Sequence, residues 1–170
     1  LCTSVDTYAG AIVYESEITF SGGVISSNES YGLSAVLSDI TVSDFLIEGN
    51  HCGGIMAYQS NASIQSTSLT NPYSVFTNLS ASLISYEADS LTVEDSVFEG
   101  NSTEDGEYQV YLYKVEDAQF TGNTLSGGYM DIYSSGSTTG LTENIFGDSE
   151  EFGYNVYLSY ADSGDSDDKI

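Results

Sequence analysis

The sequence repeats itself, and that repetition restricts the chain to very few folds. LTVEDSVFEGN at 91–101 closely matches ITVSDFLIEGN at 40–50 and loosely matches ITFSGGVISSN at 18–28. Phe98 to Asn101 returns as Phe120 to Asn123 after 22 residues, and Asn50 follows Asn28 by the same 22. Asn71 comes 21 residues after Asn50; the 30 residues from there to Asn101 hold one repeat plus an insertion at 72–80. TTGLTENIFGD (138–148) is a degenerate copy, and GYNVYLSYADS (153–163) resembles GEYQVYLYKVED (106–117) and opens a last repeat. A fixed period in this range marks a solenoid, because one unit cannot bury its apolar face without a neighbour stacked on it.

Within each repeat, short alternating segments such as Ala11-Ile12-Val13-Tyr14 and Val110-Tyr111-Leu112-Tyr113 are followed by others such as Ile40-Thr41-Val42 and Val97-Phe98. Period two, β-branched and aromatic enrichment, and flanking Gly, Asn, Ser and Asp are strand and turn signals. Three short strands per repeat predict an all-β parallel β-helix of about seven turns, about 22 residues each, with little or no helix. The whole chain, 1–170, reads as a single domain with a lead-in at 1–7 and an acidic tail at 161–170. Asn tolerates left-handed corners, so Asn28, Asn50, Asn71, Asn101 and Asn123 are expected to stack as an internal ladder.

The FxxN motifs (FEGN at 98, FTGN at 120, with IEGN at 47) and the GGAI-like openings at Gly10 to Val13 and Gly53 to Met56 resemble one known family. They are similar to the pectin-lyase-like repeats of polymorphic outer membrane proteins and related surface β-helix proteins of single-celled eukaryotes. The resemblance implies a right-handed coil displayed outside the cell, adhesive or structural. It carries no catalytic residue onto this sequence.

Charge excludes several partners. Asp and Glu number 26 against 2 Lys and Arg, a net of −24, with Lys114 and Lys169 the only strong cations. Nucleic acid and anionic membrane both call for a basic surface, and no apolar run is long enough to insert into a bilayer. From Gly49 to Tyr86 there is no Asp, Glu, Lys or Arg, and His51 lies in that window, which reads as a contact face or a wet, glycan-covered one. Sequons at Asn28, Asn61, Asn78 and Asn101 suggest a secreted glycoprotein. Ladder positions cannot also carry glycans, which favours Asn61 and Asn78. The start at Leu1-Cys2 suggests a processed piece of a longer precursor. Cys2 and Cys52 leave three outcomes open: an intrachain bridge, an intermolecular one, or two thiols.

The chain is not expected to be an enzyme. Lyases of the resembled fold use Arg or Lys beside carboxylates, and this chain has no arginine. Its adjacent acid pairs would point to opposite faces of a strand. Glu94 with Glu116, and Asp95 with Asp117, are 22 apart; in register they would stack and call either for solvent or for calcium, the one cofactor admitted. Tyr108, Tyr129 and Tyr154, with Tyr111, Tyr133 and Tyr157, form a stripe suited to binding a glycan or to stiffening a sheet. Together these features predict an extracellular or cell-surface structural protein that stacks head to tail on copies of itself. An adhesin-like module holding carbohydrate or protein is the alternative.

Overall fold

The computed structural model describes residues 9–71, 80–100, 107–127, 130–147 and 155–159. They form β1 (Ala11–Tyr14), β2 (Glu17–Ser26), β3 (Tyr31–Val36), β4 (Asp39–Glu48), β5 (Gly53–Tyr58), β6 (Asn61–Gln65), β7 (Ser68–Asn71), β8 (Ser80–Tyr86) and β9 (Ser90–Glu94). The series continues with β10 (Val97–Gly100), β11 (Glu107–Tyr113), β12 (Asp117–Thr121), β13 (Thr124–Ser126), β14 (Met130–Ser135), β15 (Thr139–Thr142), β16 (Ile145–Phe146) and β17 (Val156–Ser159). No helix occurs among the described residues.

All pairings are parallel. One sheet has the order β1-β3-β5-β8-β11-β14-β17, so each return of the chain adds one strand to the same growing edge. The second sheet runs β15-β12-β9-β6-β4-β7-β10-β13-β16, with β2 beside β4. Its centre explains its shape. The first half of β4 pairs with β6 and the second half with β7, and β4 bends at Asp44, which has φ of 56°. The second sheet is therefore two walls joined along β2 and β4.

Like residues meet in columns between these walls. Leu33, Ile55, Leu83, Val110 and Ile132 succeed one another across the first sheet. Val42, Ile64, Val93 and Phe120 do so in one wall of the second, and Ile47, Leu69, Phe98 and Leu125 in the other. All of these are buried, each contributing about 1.5–3 kcal/mol from removal of its apolar surface from water.

The corners carry their own columns. Glu15, Leu37, Gln59, Glu87 and Lys114 all adopt left-handed φ between 47° and 53°. Each turns its amide to the last strand residue of the next pass, as Leu37 does to the Tyr58 carbonyl at 3.1 Å. A non-glycine residue there costs on the order of 1 kcal/mol, offset by the bond it places. Beside this corner Ser38 accepts from the Ser16 amide and donates to the Val36 carbonyl, and Ser60 does the same for Ser38 and Tyr58.

Asparagines hold the other two corners, in two columns where the sequence predicts one. Asn50 Oδ1 accepts from the amide and the Nδ2 of Asn28 at 3.1 and 2.7 Å. Gly32 lies against this pair, where a Cβ would fall 2.7 Å from Asn50 Nδ2. Asn123 belongs to a different corner. Its Oδ1 accepts from the Ser96 amide, its Nδ2 donates to the Val93 carbonyl, and Asn144 receives its amide in turn. Asn71 ends β7, and Asn101 lies outside the described residues.

The predicted alignment of Phe98 with Phe120 is corrected by the same register. Phe98 pairs with Leu125, and Phe120 with Val93, because the step between passes there is 27 residues. Other steps are 22, 29 and 21. A 22-residue step therefore describes the first passes, lengthens to between 27 and 29 in the middle ones, and returns between β11 and β14.

Asn123→Ala is expected to leave the buried Val93 carbonyl and Ser96 amide without partners, lowering stability by about 2–4 kcal/mol. For a chain of this size the melting temperature in calorimetry would fall by roughly 5–15 °C. Asn28→Ala, at a partly exposed corner, should cost less than half as much.

Candidate functional site

The outer face of the first sheet carries the densest aromatic surface. Parallel in-register pairing stacks equivalent side chains one strand spacing apart, so Tyr111, Tyr133 and Tyr157 fall in one column and Tyr58, Tyr86 and Tyr113 in another. Tyr111 and Tyr133 are 5.0 Å apart at 9°, and Tyr133 and Tyr157 are 5.3 Å apart at 13°. Tyr86 touches Tyr113 at 5.2 Å and Tyr111 at 5.7 Å, which ties the two columns together. Lys114 Nζ sits 5.1 Å over the Tyr113 ring and 3.9 Å from Glu87.

This arrangement determines what the surface offers. Rings that stack on one another spend their faces internally, leaving ring edges and phenol hydroxyls for solvent. Burial, then the hydrogen bond with Tyr86, raises the Tyr111 pKa above the ordinary tyrosine value. Tyr108 departs from the predicted stripe. It pairs with Met130 and leans on Tyr111 and Tyr133 at 5.7 and 5.3 Å. Tyr129 and Tyr154 lie outside the described residues.

The acidic residues expected to stack do not meet. Glu94 pairs with Thr121 and Asp117 with Ser90. The Asp95 amide donates to the Thr121 carbonyl, and the Glu116 amide to that of Ala88. The 27-residue step displaces each acid from the partner that a 22-residue step would give it. Among the described residues no group of three His, Cys, Asp or Glu side chains converges. A shallow depression at the first corner is lined by Glu15, Glu17 and Asp39 with Ser16, Leu37, Ser38 and Gln59, without a cation or imidazole.

The remaining sequence candidates fall at corners. Asn61 is held from both ends of its amide: Nδ2 donates to Asp39 Oδ1 and Oδ1 accepts from the Ser90 amide, both at 2.9 Å. Asn28 is in the ladder, while Asn78 and Asn101 lie outside the described residues. The His51 amide donates to the Asn28 carbonyl. Cys52 is buried and disulfide-bonded; Cys2 lies outside the described residues.

Sequence reasoning missed Asp131. It is 1% exposed, and neither carboxylate oxygen has a hydrogen-bond partner. Register places it between Gln109 and Asn155. Gln109 is committed elsewhere, accepting from Ser82 Oγ and donating to the Ser126 carbonyl. Burial pushes the carboxyl up to about 7. The available signal was an acid in the otherwise apolar run Met130 to Tyr133.

Asp131 makes the fold weaker at higher pH. Between the ordinary carboxylate value of 3.8 and about 7, the unfolded chain is ionised while the fold retains the proton, so stability falls across that window and stays low above it. Asp131→Asn should therefore raise the melting temperature by several degrees at pH 8 and by less at pH 5. An equal effect at both values would show that the carboxyl is not held protonated.

No protein family, curated protein or solved structure matches this chain, so the likeness to polymorphic outer membrane protein repeats rests on its short motifs alone, and the functional reading rests on the geometry.

Proposed function

We propose that the two sheets are the walls of a right-handed parallel β-helix of about seven turns. On this reading the protein is a non-enzymatic, extracellular structural subunit that builds a surface fibre or coat by stacking end on end. The right hand follows the strong preference of parallel crossover connections. One observation carries the function: the large exposed apolar side chains concentrate at the two ends of the strand order. Ile12, Tyr14, Ile18 and Val24 lie in β1 and β2, and Leu141, Ile145, Tyr157 and Leu158 in β15 to β17; between them only Leu37 and Tyr58 are comparably exposed among the described residues.

The backbone agrees with the side chains. Among the described residues, β1 and β17 bound the first sheet, β15 and β16 bound the second, and β2 pairs only with β4. Open parallel edges are templates for another strand, and a heterologous contact that does not close generates a filament. The acidic side walls oppose lateral clumping, since a net charge of −24 repels. The alternative, a module that holds a glycan or protein, has the row of tyrosine hydroxyls in its favour. The mutual stacking of those rings removes the open faces on which sugars pack.

Screening should promote assembly. Sedimentation velocity and electron microscopy between ~20 mM and ~1 M salt, where the Debye length shrinks to about 3 Å, are expected to show elongated species growing with salt, with or without calcium. Monomers alone at every salt concentration and at high protein concentration would overturn the fibre reading.

A further inference from the structure

We propose that Tyr111, Tyr133 and Tyr157 form a site of oxidative cross-linking, at which a peroxide oxidant joins neighbouring phenols of one chain into dityrosine and so ties adjacent passes together. The proposal does not depend on end-on stacking. It rests on the arrangement of the three rings and on what else in the chain an oxidant can attack.

Register sets the rings in line. Tyr111 pairs with Tyr133, and Tyr133 with Tyr157. Ile84 precedes Tyr111 in the same column, so the run of stacked rings begins there. Their planes are tilted by only 9° and 13°, with centroids 5.0 and 5.3 Å apart, close to the spacing of neighbouring strands. The other tyrosine contacts are less aligned: 27° for Tyr86 with Tyr111, 41° for Tyr86 with Tyr113, and 56° and 49° for Tyr108 with Tyr111 and Tyr133. Alignment matters because a phenoxyl radical carries unpaired electron density on the ring carbons ortho to its oxygen, in π lobes perpendicular to the ring. Near-parallel stacked rings aim those lobes at each other, and tilted rings do not.

The rest of the chain offers an oxidant little competition. There are 14 tyrosines, no tryptophan and two methionines, and Met56 and Met130 are both buried. Cys52 is already in a disulfide. Tyr157, by contrast, is 46% exposed and ends the column. Loss of one electron and the phenolic proton from Tyr157 gives a phenoxyl radical. That radical exchanges with the Tyr133 phenol, the electron crossing the stacked rings and the protons passing through solvent. A second oxidation of Tyr157 then leaves two radicals side by side. Their coupling forms one C–C bond between ortho carbons. The two ortho C–H bonds break, and the hydroxyls of both rings re-form. With a haem peroxidase turning over hydrogen peroxide, two phenols and one peroxide become one dityrosine and two waters. Tyr133 is a partner in both aligned pairs, so the bond ties β14 either to β17 or to β11.

The test uses the whole chain at low concentration, a haem peroxidase and limiting hydrogen peroxide. The product is expected to show dityrosine fluorescence while still migrating as a monomer on denaturing gels. Peptide mapping by mass spectrometry should place the cross-link, two hydrogens lighter than its separate peptides, between Tyr133 and either Tyr157 or Tyr111. Tyr133→Phe keeps a ring in the stack but removes the phenol, and is expected to lower the monomeric yield at least ten-fold. Tyr14→Phe removes a tyrosine that is 58% exposed but has Val36 as its register neighbour, and should leave the yield unchanged. Cross-links mapped to other tyrosines, dityrosine only in multimers or not at all, or an equal yield from Tyr133→Phe and the unsubstituted chain would each overturn the assignment. The map of the unsubstituted chain decides the matter even where Tyr133→Phe alters stability.

Discussion

Everything in this structure depends on the hydrogen bonds that each pass of the chain makes to the pass beside it, all in parallel register. Parallel pairing has no local hairpin to fix it, so the register has to be written into side chains that recognise their own kind. Asn50 accepting both nitrogens of Asn28 is one such device, and Ser60 joining Ser38 to Tyr58 is another. These polar columns stand at corners, where the backbone turns and its amides would otherwise lack partners. The apolar columns fill the space between. Buried polar groups thus fix the alignment, and buried hydrocarbon supplies most of the stabilisation.

The left-handed corner residues show the same division of roles. Leu37 and Gln59 are unfavourable types for φ near 50°, and glycine would relieve the strain. The amide that such a residue presents to the next pass is placed by that strained turn. Strain at one corner and hydrogen bonding to the next pass are therefore two aspects of one arrangement. Asp131 is the exception, a buried carboxyl that no neighbour answers.

Much of this architecture was legible in the sequence. Alternation in Val110 to Tyr113 and the match of 18–28 with 40–50 identified strands, parallel stacking and the Asn28 to Asn50 step. What misled was the assumption of one period. FEGN and FTGN look like the same corner, yet Phe98 and Phe120 sit in different walls. Any short strand followed by a tight corner asks for a bulky inward residue and then small or amide ones, so different walls converge on the same four letters. Residues between β7 and β8, and between β10 and β11, lengthen two of the passes, and a spacing argument has no means of assigning extra residues to one corner. The acid stack of Glu94 and Glu116 failed for that reason. The tyrosine columns succeeded where Tyr111, Tyr133 and Tyr157 follow one strand type, and failed at Tyr108, whose neighbour in register is Met130.

The parallel rings of Tyr111, Tyr133 and Tyr157, at 5.0 and 5.3 Å with tilts of 9° and 13°, have an optical consequence. Identical chromophores so close and so aligned share their excitation, and no tryptophan is present to obscure it. The molecule therefore carries a built-in spectroscopic reporter: near-ultraviolet dichroism from the coupled phenols depends on adjacent strands keeping their ring planes together, and it would vanish from a chain whose passes had come apart.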